Sequence, residues 1–575
     1  MKKKPKYDFV LFIVLMVLDL MPLLQGWLRL IPIKPLTGVV EETEKPTFSF
    51  DAYCSGSYAK GVEDYASRHF GFRELAIRFY NQYLWSCYHK TYAKDVVAGK
   101  KGWLYYPQSV SDYYGKELLR WNASADEAKN RFDRDVKYLN WARQILKENS
   151  VDLMVFMAPE KGFLYPEYLP DDERDTTTFN AYEYFAECFD SVGFPYIEMT
   201  RWFQQIKDTV SYPLIPQTGA HWVFPSVYAA DSLFRFMGDL KGVNLPEIVI
   251  GPMYESKKHG MDNDLEQLLN LSLPIRHRYG FAPRAEVSIA ADSTMVKPKV
   301  LFVGNSYMWS MVHFVPFNEV FDDVEFWYYF STAYYGEDLS QTKSVTQFDF
   351  LEKILDFDYV VWFTTGNQMN KGTMGFAEKA IMNLCYDPKD VSLIYNRIMD
   401  SLRYDSLTLL TLDQPLCDSN YKQALWPLAE QIVYNHSELY FPALVSDSLP
   451  TVRNSRIKEI VAINEIKKDS VWMRNLSAFQ TIIQNAPFDQ VLLMEAYNII
   501  EGKPLMRDMD DPEAKRNRVN ELVKAMEDEI RLKPAMMSQI EEKAITKGRS
   551  LEEQLNYEAR WIVNDKINRG VLMLE

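Results

Sequence analysis

The chain has 575 residues, 47% of them hydrophobic and 25% charged, a balance that supports sizeable buried cores and more than one domain. Its net charge of −15, with no basic stripe beyond the extreme N-terminus, argues against a nucleic-acid backbone as ligand. The five cysteines (Cys54, Cys87, Cys188, Cys385 and Cys417) include no C-x-x-C pair, which excludes a zinc ribbon, a thioredoxin-like motif and a disulfide scaffold but leaves room for one or two bridges.

The chain opens with Lys2, Lys3, Lys4 and Lys6, then an apolar run from Phe9 to Leu24 that extends to about Leu30. At about 1.5 Å per residue the extended run spans roughly 30 Å, one bilayer core. Lysines before it and Glu41, Glu42 and Glu44 after it place the N-terminus inside and the bulk of the chain outside. No small-residue cleavage site follows, so an uncleaved signal anchor over 1–38 is preferred to a removed signal peptide. Asp19 inside the span is costly in lipid, which makes it either a contact for a membrane partner or a tolerated defect.

A polar linker leads to "VEDYASRHFGFRELAIRFYNQYLW", an amphipathic helix broken at Gly71, and the two together occupy 39–95. Next come a turn at Gly99–Gly102, the aromatic strand "WLYY", a long helix through "DEAKNRFDRDVKYLNWARQILKENS" and the apolar strand "VDLMVFMAPEK". "AYEYFAECFDSVG" and "FPYIEMT" repeat the helix–strand alternation. Pro225 then opens a helix after "QTGAHWVF", and "KPKVLFVGNSYMWSMVHFVP" reads as strand, tight turn and helix. "VEFWYYF" and "FDYVVWFTTGNQ" complete the strands. This alternation predicts a three-layer α/β domain with a mostly parallel sheet over 96–385. From 386 to 575 helical periodicity dominates. Segments from Arg456 and Arg518, each followed by a second helix, form a weak two-copy repeat of roughly 60–65 residues.

Active residues of parallel α/β sheets gather at the C-terminal strand edge. Ser306 ends "VLFVGNS" there, with Gly304 permitting a sharp turn and the following helix offering backbone N–H groups to an oxyanion. A serine hydroxyl needs a base, and of the seven histidines His221, at a loop-to-helix junction, is best placed. Alone, each residue is more often structural, a capping serine or a packed imidazole; together they suggest a nucleophile and its base. Residue spacing suggests no metal and no diffusible cofactor.

The pieces "HFGFRE", "GKKGWLYY", "APEKGFLYPEYLP", "TGAHWVF", "DNDLEQLL" and "VGNSY" follow one another from about Ser57 to Asn367. In that order the chain resembles the alginate O-acetyltransferase family of the AlgX/AlgJ type, whose catalytic domain is SGNH-hydrolase-like. The resemblance implies Ser306 as nucleophile, His221 as base and Trp222 as the family tryptophan. It departs from the family at Gly219, where the orienting acid is usual, and at Asn305 and Tyr307, where aspartate and phenylalanine are usual. A carboxylate from elsewhere, Asp262 or Asp264, a backbone carbonyl, or no group at all then orients the imidazole. Gly304, Asn305, Asn367, Lys161, Tyr334 and Tyr335 are further oxyanion or substrate candidates, each with an ordinary packing role as the alternative. Trp103 is expected in the core.

The resemblance implies a membrane-anchored O-acetyltransferase acting on an exported polysaccharide through a Ser–His acyl-enzyme. It also implies a bacterial inner-membrane location with an extracytoplasmic body, and a membrane acyltransferase of the MBOAT type as acyl-supplying partner. A polysaccharide O-acetyl esterase and a non-catalytic glycan-binding or assembly component are the competing readings.

Overall fold

A computed structural model describes residues 5–38, 44–117, 124–172, 179–255, 260–405, 421–446, 448–482, 487–503, 505 and 512–568. Lys2, Lys3, Lys4, Glu41, Glu42 and Cys417 lie outside these residues, as do the side chains of Lys6 and Asp19. The four described cysteines, Cys54, Cys87, Cys188 and Cys385, are free thiols.

Four helices come first: α1 (Pro5–Leu28), α2 (Phe50–Cys54), α3 (Ser57–Arg68) and α4 (Arg73–Tyr88). Within α1 the stretch Phe9–Gly26 is long and apolar enough to cross a membrane. The break between α3 and α4 falls at Gly71, where a Cβ would stand 2.1 Å from the Pro22 carbonyl oxygen of α1. Only glycine lets the two backbones meet there.

The body of the chain is built on a seven-stranded sheet of order β10-β9-β8-β7-β11-β3-β4. Its strands are β3 (Asp152–Ala158), β4 (Tyr196–Glu198), β7 (Lys299–Gly304), β8 (Asp323–Tyr328), β9 (Thr332–Tyr335), β10 (Gln341–Ser344) and β11 (Tyr359–Thr365). The five strands from β8 to β4 are parallel, as expected, while β9 and β10 add an antiparallel edge. Two small antiparallel pairs stand apart, β1 (Val97–Ala98) with β2 (Leu104–Tyr105), and β5 (Glu247–Ile250) with β6 (Val287–Ala290).

Side-chain alternation along the buried strands divides two cores. On β3, Leu153, Val155 and Met157 enter one, against the helices Ala125–Glu148, Ala181–Val192 and Phe376–Cys385. Met154, Phe156 and Ala158 enter the other, against Ser226–Lys241 and Met308–Phe314. Each fully buried apolar side chain is worth about 1.5–3 kcal/mol, which is why these strands read as unbroken hydrophobic runs. Ser124 and Glu127 form a reciprocal capping box that starts the long helix. Trp103 is buried, as expected.

Helices beyond the sheet extend the first core: Tyr395, Ile398, Leu425, Val433, Phe441 and Ile457 all join it. A separate core runs from Ala462 to Val563. There each repeat copy holds three helices rather than the expected two, Arg456–Lys468, Ser470–Ile482 and Phe488–Ile500, then Pro512–Arg531, Pro534–Lys547 and Leu551–Asn568. The extra breaks have local causes. Asp469 accepts the backbone N–H of Val471 and Trp472 and so caps a new helix, and Pro534 starts another.

Candidate active site

Ser306 follows β7 at the C-terminal edge of the parallel strands, and His221 lies in the loop before the helix Ser226–Lys241. The fold brings them together across 85 residues, with Ser306 Oγ 3.0 Å from His221 Nε2. On the other side of the ring, Nδ1 is 2.5 Å from Asp264 Oδ2. A carboxylate can only accept, so Nδ1 carries the proton and Nε2 is left to accept from the serine hydroxyl. The second oxygen, Asp264 Oδ1, accepts from Ala220 N at 2.7 Å and Leu265 N at 2.8 Å, which fixes the carboxylate plane.

The carboxylate beside Nδ1 therefore comes from a separate segment, and Gly219 is what admits it. A Cβ on Gly219 would stand 2.8 Å from the Met261 carbonyl oxygen and 2.9 Å from that of Asp262. Any larger residue at 219 would push away the turn that delivers Asp264. Asp262 plays no such part: it is buried and pairs with Arg284 at 3.0 Å.

The His221 loop is held from behind. Lys161, a candidate for substrate contact, is instead only 2% exposed. Its ammonium donates to the carbonyls of Gly219 (2.6 Å), Pro216 (2.7 Å), Leu104 (2.8 Å) and Gln217 (3.1 Å). Burial pushes the ammonium down to about 7, while the carbonyl oxygens around it call for a donor. From the front, the Tyr307 hydroxyl donates to the Ala220 carbonyl, and Trp222 Nε1 donates to the Tyr307 carbonyl at 3.0 Å. These two bonds couple the serine segment to the histidine segment. Val223 takes φ +44°, a strained conformation for a β-branched residue, directly behind them.

Asn305 and Asn367 meet through Thr365. Asn305 Nδ2 donates to Thr365 Oγ1 at 2.9 Å, and that hydroxyl donates to Asn367 Oδ1 at 2.7 Å. With its oxygen engaged, Asn367 has its amide N–H groups left for the cleft it lines. Its backbone N–H donates to Glu160 Oε2 at 3.2 Å, and burial raises the Glu160 carboxyl above the usual carboxylate range. Asn305 Oδ1 also accepts from Tyr307 N at 3.1 Å, so its side chain shapes the serine turn.

A cleft of about 220 Å³ opens beside Ser306, lined among others by Asp95, Tyr106, Gln108, Tyr329 and Asn367. Tyr334 and Tyr335, both substrate candidates, are not part of it. They belong to the antiparallel edge, where Tyr334 packs edge-on against Trp309 and Tyr335 against Phe348. Tyr329, directly after β8, lines the cleft instead, and the strand-end rule points to it. At Gly304 a Cβ would stand 2.2 Å from the Phe363 carbonyl oxygen on β11, so glycine is what lets the two strands approach there.

Residues 96–226 match the family model for the SGNH hydrolase-like domain of acetyltransferase AlgX, a stretch that contains Lys161 and His221 and stops before Asp264 and Ser306. That stretch, under half of the chain, is thus similar to an SGNH-like domain of the AlgX type. No curated protein matches the chain. Among solved structures, the O-acetyltransferase domain of Pseudomonas putida AlgJ is 16% identical, with a TM-score of 0.32 over 48% of this chain and 92% of that one. Pseudomonas aeruginosa AlgX is 14% identical, TM-score 0.31, over 49% and 67%, and Bacillus cereus PatB1 is 12% identical, TM-score 0.29, over 48% and 98%.

Proposed function

We propose that this chain is a membrane-anchored O-acetyltransferase that modifies an exported polysaccharide through an acyl-enzyme on Ser306. The observation that carries the reading is the Ser306–His221–Asp264 hydrogen-bond chain, 3.0 Å and 2.5 Å long, at the mouth of a cleft. Ser306 Oγ attacks the carbonyl carbon of an acyl donor while His221 Nε2 takes its proton. The tetrahedral oxyanion is met by the Ser306 backbone N–H and the Asn367 amide. Collapse expels the leaving group, which takes the proton from His221. A sugar hydroxyl then gives its proton to His221 and attacks the acyl-serine, regenerating Ser306. Asp264 holds the required tautomer and stabilises the imidazolium throughout.

In this reading α1 anchors the chain in a bacterial inner membrane and the body works on the periplasmic side. Acetyl-CoA is not available there, so the acyl group is supplied across the membrane by a multi-spanning acyltransferase of the MBOAT type. What supports the reading is the matched AlgX-type domain together with the apolar α1. The test is to incubate the purified chain with an activated acetyl ester, with and without acetyl-free oligosaccharide. Acetyl groups should accumulate on Ser306 and move to sugar when oligosaccharide is present. Release as acetate that oligosaccharide does not divert would make the protein an esterase. No Ser306 adduct under any condition would sink the enzymatic reading.

A further inference from the structure

Between the apolar helix and the catalytic body lies a helical hairpin with an unusual surface. Among its described residues, neither α3 nor α4 buries a single side chain. One side of α4 is tied to the body. Asn81 Nδ2 donates to the Leu269 carbonyl at 2.8 Å, Gln82 Oε1 accepts from Leu273 N at 2.8 Å, and Trp85 packs on the cluster of Val96, Leu104 and Leu265. The other side carries Leu75, Phe79 and Tyr83 at four-residue spacing, with Tyr80 beside them, all exposed, Phe79 at 60%. Phe70 continues the patch onto the turn between the helices. Lone exposed apolar residues need no explanation, but a contiguous stripe on a helix does.

The position of the stripe says what covers it. The turn that joins α3 to α4 is locked to the last turn of α1. A Cβ at Gly71 would stand 2.5 Å from Gly26 N, and one at Gly26 would stand 3.1 Å from the His69 carbonyl oxygen. Gly26 ends Phe9–Gly26, the stretch long and apolar enough to cross a membrane. With Pro22 the other close neighbour of Gly71, the hairpin is thus fastened to the last turn of that stretch, where a span reaches the headgroups. Its composition matches that depth: tyrosine has an apolar ring and a hydroxyl that needs a polar neighbour, and such side chains concentrate at the membrane–water boundary.

We propose that the α3–α4 hairpin lies in the lipid headgroup boundary on the exit side of the span, with Phe70, Leu75, Phe79, Tyr80 and Tyr83 entering it. The proposal rests on the reading of α1 as a membrane span. It has a consequence for the active site, because a short segment leads from the end of α4 at Tyr88 to Asp95 at the rim of the Ser306 cleft. A hairpin seated on lipid holds that rim at a set orientation to the bilayer, where an acyl group delivered through the membrane would emerge.

The test uses the full chain, with its cysteines replaced by serine, in vesicles of phosphatidylethanolamine and phosphatidylglycerol. An environment-sensitive fluorophore is attached, one site at a time, at Leu15→Cys, Phe79→Cys, Tyr83→Cys and Glu187→Cys. The last is an exposed position on the distant helix Ala181–Val192. Replacing the lipids by ones brominated on the acyl chains should quench the probes at 15, 79 and 83. The emission of the last two should be blue-shifted relative to 187, which stays unquenched. Probes at 79 and 83 as wet as 187, with 15 quenched, overturn the hairpin proposal and leave the span standing. That result also points to a protein partner as the cover. An unquenched probe at 15 removes the span, and the proposal with it. Thermal unfolding of each labelled variant, compared with the unlabelled chain, confirms that the labels are read on folded protein.

Discussion

Asp264→Asn keeps the shape of the acid and removes its charge, so on the proposed chemistry the imidazole is held in the wrong tautomer. The expected loss is about 10⁴ in kcat with KM little changed, read from acetyl transfer to oligosaccharide. Gly219→Asp returns an acid to the position the family favours, yet its Cβ meets the Met261 and Asp262 carbonyls, so activity should fall rather than rise. A Gly219→Asp chain that gained activity would show that Asp264 is not the working acid. Asn305→Asp takes the N–H away from Thr365, whose hydroxyl then turns to the new carboxylate and frees the Asn367 amide to rotate. The expected cost is that of losing one oxyanion donor, about 10² in kcat, and it should vanish in a Thr365→Val background. Ser306 and His221 were legible in the sequence because each sits in a local pattern, a serine at the end of an apolar strand and a histidine before a helix. Asp264 was legible only as one of two speculative carboxylates. Its pairing with a ring 43 residues away is tertiary, and Gly219 read as a missing acid when it is the gap through which the acid arrives. Lys161 was legible only as a substrate candidate with a packing role as the alternative, because its carbonyl partners come from loops far apart in the chain.

Elements with unbroken apolar runs, β3, β7 and β11, were readable because both of their faces are buried. The edge strands β9 and β10 were not, since Gln341–Ser344 is short and polar and carries Lys343, as a protected sheet edge does. Packing between the helices Ala125–Glu148 and Phe376–Cys385 buries Asp135 against Glu378, with Arg134 3.6 Å from the latter. Burial and the neighbouring Asp135 raise the Glu378 carboxyl well above its ordinary 4.5. A raised carboxyl keeps its proton in the folded chain after the unfolded chain has released it. Stability should therefore fall as pH climbs above about 4.5, and Glu378→Gln should flatten that fall. Thermal midpoints measured across pH for both proteins check the sign. A midpoint that rises through the same range would refute it.

At the scale of the whole molecule, the proposed division at 385/386 is one of secondary-structure type, and the packing continues across it. Tyr395, Leu425, Phe441 and Ile457 share the core of the sheet. A chain ended after Cys385 should accordingly be insoluble or bind a hydrophobic dye, whereas one ended after Lys468 keeps that core and should stay soluble. Sequence periodicity marked the change from strands to helices but carried no sign of which helices lean back on the sheet, because that depends on surfaces far apart in the chain.

The separate origin of the acid has a kinetic meaning. An acid two positions from its base is held to it by the chain itself, whereas Asp264 is held to the His221 loop by hydrogen bonds from Ala220 N and His221 Nδ1. On the proposed chemistry, a fluctuation that parts the 260–264 turn from the 216–221 loop would disconnect the carboxylate while Ser306 stays hydrogen-bonded to His221, so turnover would report a local opening equilibrium as well as chemistry. On warming, the rate should drop below its Arrhenius line before the sheet begins to melt.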